Sequence, residues 1–309
     1  MYGHFDSEDG EVTFRGKIVE PTEGGDKASD ESQPKASFGI VLSDIAISDG
    51  SISADVEFAS ITDDSICELA VAYDVNARHF LTAGLGGDRW TMFDIREFGG
   101  QREGSWTYHQ SKGDRANLKA GRVYSLEVQY LGAITTLSID GVPVGTAVAS
   151  TPVGRPRQVG LFCRGTSDIK IRNFRVSIAK PRAFAIMQFT SEYDDVYQDV
   201  VKEIAGGYQL SIIRADEVTG PGFVIADIIQ QISVAQLVIA DISPANPNVY
   251  FEVGYALALG KPTILLARRG TSLPFDVAGF RVLFYEDSIG GKKKLEQGLR
   301  DHLEAILRS

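Results

Sequence analysis

The feature that most constrains this chain is a change of hydrophobic period near residue 180. Before it, apolar residues recur at every second position. After it, short continuous apolar runs alternate with stretches whose apolar residues recur every third or fourth position. The first period belongs to strands with one buried face, the second to helices that cover a core. A length of 309 residues suits two domains. We place them at residues 1–180 and 181–309.

The first domain reads as an all-β sandwich. Ser51–Phe58, Tyr124–Tyr130 and Ile169–Ser177 alternate polar and apolar residues. Thr136–Val144 reads as strand, Asp140-Gly141 turn and returning strand, a strong hairpin signal. Glycines at 84, 86, 87, 99 and 100 mark turns. The segment from Glu20 to Ala36 is rich in Glu, Asp, Gly, Ser and Pro and reads as a long exposed loop.

The second domain alternates strands and helices. Strands are expected at Phe184–Met187, Leu210–Ile213, Leu237–Ala240, Thr263–Leu266 and Val282–Tyr285. Helices are expected at Tyr193–Ile204, Phe223–Val234, Val249–Leu259 and Lys292–Leu307. Continuous apolar strands separated by helices predict a five-stranded parallel sheet covered on both faces.

Charge and cysteine usage exclude several classes. Net charge is −10, and both parts are acidic: residues 181–309 hold 12 basic and 16 acidic side chains, the rest 19 and 25. A nucleic-acid backbone is therefore not an expected partner. Lys292-Lys293-Lys294 reads as a solvated helix face. Cys67 and Cys163 sit in strand-like apolar runs and read as buried thiols, and no Cys/His spacing suggests a metal. The N-terminus lacks the basic and apolar regions of a signal peptide, and the apolar runs are too short to span a membrane. A cytoplasmic protein without a membrane partner is the expectation.

In an open parallel sheet, ligands bind beyond the carboxyl ends of the strands. Those ends carry Gln188-Phe189, Arg214-Ala215-Asp216-Glu217 and Asp241-Ile242-Ser243, and the next helix presents Glu252 near its first turn. Apolar and aromatic residues surround Glu252 in sequence. A carboxylate there is costly unless it faces a cleft or a partner. Its alternative role is capping near Asn246 or Asn248. Arg214, Asp216 and Glu217 also fit a surface salt-bridge loop, Asp241 an Asx turn, and Asp194 and Asp195 the acidic start of a helix. Gly254 would allow a close approach to a cleft floor.

Phe184–Phe189, Tyr193–Tyr197, Arg214–Glu217, Ile239–Ser243 and above all Asn246-Pro247-Asn248-Val249-Tyr250-Phe251-Glu252-Val253-Gly254-Tyr255-Ala256 resemble the bacterial TIR-like and nucleoside 2-deoxyribosyltransferase-like superfamily. The resemblance covers about residues 182–287 and departs at Gln188, where many relatives carry proline. It implies a flavodoxin-like fold and chemistry at an N-glycosidic bond with Glu252 as the catalytic carboxylate. It also implies substrate contacts from Gln188, Phe189, Tyr193, Arg214, Asp216, Asp241, Asn248 and Tyr255, with Asp241 orienting a base or ribose hydroxyl. NAD is the expected substrate, with no cofactor or metal required. Activation as a homo-oligomer, in anti-phage immunity, follows from the same resemblance. Alternatives are a nucleoside or nucleotide N-glycosidase, a deoxyribosyltransferase, and a nucleotide-binding module without catalysis.

Leu118–Val128, Leu137–Val144, Val159–Phe162 and Ile171–Val176 resemble a concanavalin-like or laminin-G-like jelly roll over roughly residues 36–178. Such a domain would sense a signal or drive assembly. Trp90, Trp106, Tyr108 and His109 either line a sugar face or serve as core and strand-edge residues.

Overall fold

The computed structural model describes residues 4–19, 35–74, 76, 78–87, 90–99, 104–148, 156–218 and 224–308. Contacts divide the chain into two compact units, with the main changeover between Ile178 and Ala179.

The first unit holds fourteen strands among the described residues: β1 Phe5–Glu8, β2 Glu11–Phe14, β3 Ile18–Val19, β4 Lys35–Ile47, β5 Gly50–Phe58, β6 Ile66–Asp74, β7 His79–Leu85, β8 Phe93–Phe98, β9 Trp106–Lys112, β10 Val123–Leu131, β11 Ile134–Ile139, β12 Val142–Val148, β13 Arg157–Gly165 and β14 Ile169–Ile178. They form two seven-stranded sheets, ordered β1-β2-β14-β5-β10-β11-β12 and β3-β4-β13-β6-β7-β8-β9. All described pairings in both are antiparallel. One core lies between them. Ile52, Val56, Leu126 and Leu137 enter it from the first sheet, and Leu69, Leu81, Ile95 and Leu161 from the second.

The alternating segments behave as expected. In β5 and β10 every second residue is buried, because a strand on the outside of a sandwich has one dry face. The β11–β12 hairpin turns on Asp140 and Gly141, with φ of 51° and 76°. Positive φ at both central residues matches the twist of the flanking strands, and a glycine adopts it without steric cost. Of the expected loop from Glu20 to Ala36, residues 20–34 lie outside the described residues. Lys35 and Ala36 begin β4, and Ala36 is buried.

The second unit contains five parallel strands, β15 Arg182–Ile186, β16 Ser211–Arg214, β17 Leu237–Asp241, β18 Thr263–Arg268 and β19 Val282–Tyr285, in the order β16-β15-β17-β18-β19. β17 is buried throughout, the pattern of a strand covered on both faces. A first helix begins as α1 Ser191–Val196, passes through a π-helical segment Tyr197–Lys202 and ends as α2 Glu203–Gly207. With α6 Ile289–Arg308 it covers one face, through Tyr197, Ile204, Leu295 and Leu299. The other face is covered by α3 Val224–Val234, α4 Pro247–Ala258 and the short α5 Phe275–Ala278, through Ile232, Val249, Val253 and Val277. Among the described residues no helix is long and apolar enough to cross a membrane.

Candidate functional site

Helix α4 positions the leading candidate. Its start is built locally: Asn246 holds an extended φ of −129°, its side chain accepts the Asn248 amide at 2.9 Å, and Pro247 opens the first turn. That is a complete N-cap. Glu252 therefore does not cap the helix, and it lies in the second turn, one turn later than expected. Its side chain is 8% exposed. Among the described residues its carboxyl has no hydrogen-bond or ion-pair partner. Burial alone pushes its pKa up to about 7. The macrodipole weakens beyond the first turn, so it offers the charge little relief. Asn248 and Tyr255 lie on the same helical stripe, at spacings of four and three residues from Glu252. The Asn248 residue is exposed, whereas the Tyr255 hydroxyl sits 3.5 Å from Ser233 Oγ on α3. Gly254 faces open space, with no atom within 4 Å of where a Cβ would stand, so close approach does not explain it.

Arg214 anchors a second group at the ends of β15 and β16. It is 4% exposed. Its guanidinium makes a bidentate pair with Asp216, at 2.7 and 2.6 Å, and donates to Asp194 at 2.7 Å. It also stacks 4.5 Å from the Tyr197 ring and 5.5 Å from Phe189, which is half exposed. The hydrogen bond from Arg214 holds Asp216 below the usual carboxylate range. Glu217 accepts from Tyr197 Oη, Lys202 Nζ and the Arg214 amide. Burial alone would raise the Glu217 pKa, but these bonds hold it down. Arg214 is thus committed to tying α1 to β16. Gln188 is partly buried on the loop after β15.

Asp241 belongs to a third group. Both its carboxylate oxygens are taken: Oδ1 by the Ser243 amide and hydroxyl at 2.9 and 2.5 Å, Oδ2 by Tyr285 Oη at 2.6 Å. Ser243 Oγ in turn accepts the Arg268 amide at 2.8 Å. This network joins the carboxyl ends of β17, β18 and β19. Burial raises the Asp241 pKa against the pull of these bonds. The Asx-turn reading of Asp241 is the one its geometry matches, and its oxygens are filled by the protein itself.

Tyr193 lines a cleft of about 490 Å³ beside this network, with Val196, Val200, Tyr285, Ile289 and Leu295 as its apolar lining. Glu192, Asp195, Asp199, Glu286 and Asp287 supply five carboxylates, against Arg268 and Lys292. Arg268 is already paired with Glu192 and Asp287. Such a rim repels a pyrophosphate. Of the nine residues expected to contact substrate or carry the chemistry, Tyr193 alone lines this cleft. The expected site thus resolves into three groups, with Glu252 apart from the acidic cleft.

The sandwich carries a polar cluster that alternation did not reveal. On β6, β7 and β8, polar residues facing away from the core are buried too: Glu68, Thr82, Asp94 and Arg96 are at most 1% exposed. Arg96 Nη2 donates to Glu68 Oε2 at 2.9 Å, and its guanidinium lies 4.0 Å from the Trp106 ring. Burial, opposed by Arg96, pushes the Glu68 carboxyl up to about 7. Phe80, Phe98, Trp106 and Phe162 form a connected aromatic group on the same face. Trp106 belongs to this group, and the Tyr108 ring lies 6.0 Å from the Arg96 guanidinium. Trp90 stands 66% exposed outside it, and the His109 Nε2 lies 2.9 Å from Glu97, which also bonds His79 at 2.6 Å. Among the described residues no group of three or more His, Cys, Asp or Glu is placed to hold a metal.

No protein-family profile matches the chain, and no curated protein sequence matches it. Solved structures with some likeness include the carbohydrate binding module CBM66 from Bacillus subtilis, at 17% identity and a TM-score of 0.39 over 54% of this chain and 95% of that one. The Bacillus licheniformis β-glucanase gives 11% and 0.39 over 57% and 82%. The κ-carrageenase of Zobellia galactanivorans gives 10% and 0.40 over 56% and 81%. At such scores they carry no argument about activity. The sandwich stands on its own two sheets.

Proposed function

We propose that the C-terminal unit cleaves the N-glycosidic bond of a nucleotide, with NAD the first candidate and Glu252 the carboxylate that faces the sugar. The observation that carries this reading is the Glu252 carboxyl itself. A buried acid with no partner among the described residues and a pKa of about 7 is unfavourable to keep in a helix, and such groups concentrate where chemistry uses them. Breaking a C1–N bond builds positive charge on the sugar ring. A carboxylate beside that carbon either stabilises the charge or captures it covalently. The resemblance of Asn246–Ala256 to the deoxyribosyltransferase-like and TIR-like segment supports the same chemistry, and the strand order β16-β15-β17-β18-β19 suits a flavodoxin-like fold. Deoxyribosyl transfer and nucleoside hydrolysis are variants of this reading. On it, self-association switches the enzyme on, and immunity against phage is the setting.

The test incubates concentrated full-length protein, wild type beside Glu252→Gln, with NAD and separately with nucleosides and nucleotides, and measures free base by chromatography. Release of nicotinamide by wild type alone is expected. The rate should rise as pH passes through about 7, because the ionised carboxylate is the working form. Release from another nucleotide keeps the mechanism and changes the substrate. Equal release by Glu252→Gln removes Glu252 from the chemistry. Silence from both leaves nucleotide binding without turnover, checked by calorimetry.

A second reading concerns the sandwich. The connected Phe80, Phe98, Trp106 and Phe162 rings on its non-core face suit a ligand with a flat apolar side, such as a sugar ring. Glycan-array binding that disappears in Trp106→Ala would support it, and a silent array would remove it.

A further inference from the structure

We infer that Cys67 and Cys163 are the site of a reversible disulfide that staples the folded sandwich, formed by exchange with a small-molecule disulfide. Cys67 is the second residue of β6, and Cys163 lies directly opposite it on β13 in antiparallel register. Both are free thiols, and Cys163 Sγ donates to Cys67 Sγ at 3.7 Å. Directly opposed residues of an antiparallel pair have Cα atoms roughly 4.5 or 5.5 Å apart, and both spacings fall within what a disulfide accepts. Closing the sulfurs to about 2.05 Å therefore asks for side-chain rotation and leaves the strands in place. On its other flank Cys163 pairs with Gly39 of β4, which has no side chain to hinder that rotation.

Access is the remaining requirement. Both cysteines are 0% exposed. One further pair, Arg164 with Ile66, separates them from the end of the β6–β13 ladder. Strand ends open locally far more often than the whole unit unfolds. Burial also pushes the Cys163 thiol up, so reaction awaits that opening. One thiolate then attacks the reagent disulfide RS–SR, forms a mixed disulfide and expels RS⁻. The second thiolate attacks the cysteine sulfur of the mixed disulfide and expels the second RS⁻. The two thiol protons end on the two RSH released, the cysteines are oxidised and the reagent is reduced.

The test exposes native full-length protein to oxidised glutathione, then unfolds it and counts alkylatable thiols by mass spectrometry. Two thiols should fall to none, in a monomer, with a Cys67–Cys163 linked peptide in the non-reducing digest. Dithiothreitol should restore both. The melting temperature of the oxidised form should rise by about 5 °C or more, because the bond constrains the unfolded chain. Cys67→Ser should lose the linked peptide. The inference is overturned if both thiols survive native oxidation while the urea-unfolded chain oxidises. It is also overturned if glutathione adducts accumulate without closing, or if the bond forms only between chains.

Discussion

At the scale of single residues, the cost of a group shows what its surroundings do for it. Glu252 and Asp241 are both buried acids with pKa values raised by burial, yet they stand in opposite positions. Asp241 has its oxygens filled by Ser243 and Tyr285. Asp241→Asn should destabilise the protein by about 1–3 kcal/mol, as expected when a hydrogen-bonded buried charge is replaced by a group with the wrong donors. Tyr285→Phe should cost less, since it removes one bond. Urea unfolding of both variants checks the order. Glu252 has no partner to lose among the described residues. Its pKa rises from 4.5 to about 7 on folding, so the folded state holds the proton more tightly than the unfolded one, and stability falls as pH climbs through that window. Glu252→Gln should therefore be more stable than wild type at pH 8 by about 1–3 kcal/mol, and the gain should vanish near pH 4.5. An equal difference at both pH values would mean that folding leaves the Glu252 pKa unshifted.

At the scale of elements, the second sandwich sheet shows why pattern reading succeeds in some strands and fails in others. β5 and β10 alternate because only one face is dry. β6 reads Ile-Cys-Glu-Leu-Ala-Val-Ala-Tyr-Asp and is buried on both faces over its first seven residues. Its polar Glu68 is dry because Arg96 from β8 neutralises it and Trp106 from β9 covers the guanidinium. Arg96→Met should then cost about 3–5 kcal/mol, since it leaves Glu68 buried without its counter-charge. The double variant Arg96→Met with Glu68→Leu should recover much of that loss. Additive losses across the cycle would show that the pair is not coupled. In the second unit, helix α4 was legible to within two residues because Asn246 and Pro247 announce its start. The helix beginning at Ser191 was legible as one apolar stripe, but its π-helical middle was not, since the stripe does not record which carbonyl each amide chooses.

For the whole molecule, raised and lowered carboxyls together set the pH response. Glu68 in one unit and Glu252 in the other are both raised to about 7, so both withdraw stability as pH rises from 4.5 to 7. Asp216 and Glu217 are held below their ordinary values, so what they contribute is present above about pH 4.5 and is lost on further acidification. Stability measured by calorimetry should therefore peak on the acidic side of neutrality. A maximum above pH 8 would contradict the burial of the two raised acids. The cores of the two units contain different residues throughout, so unfolding should resolve into more than one transition.

The sequence by itself determined where the hydrophobic period changes, the β character of the first part, the Asp140-Gly141 hairpin, and the five strands and principal helices of the second. Those are local properties: backbone periodicity, turn geometry and helix caps act over a few residues. It also marked Glu252, because a carboxylate in so apolar a helix is conspicuous in one dimension. Tertiary structure alone decided that Arg214 is spent on Asp194 and Asp216, that Asp241 is filled by Tyr285 44 residues away, and that Cys67 meets Cys163 96 residues away. Which partner a charged or polar side chain finds depends on strand order and on which faces are dried, and neither is written at any one position of the chain.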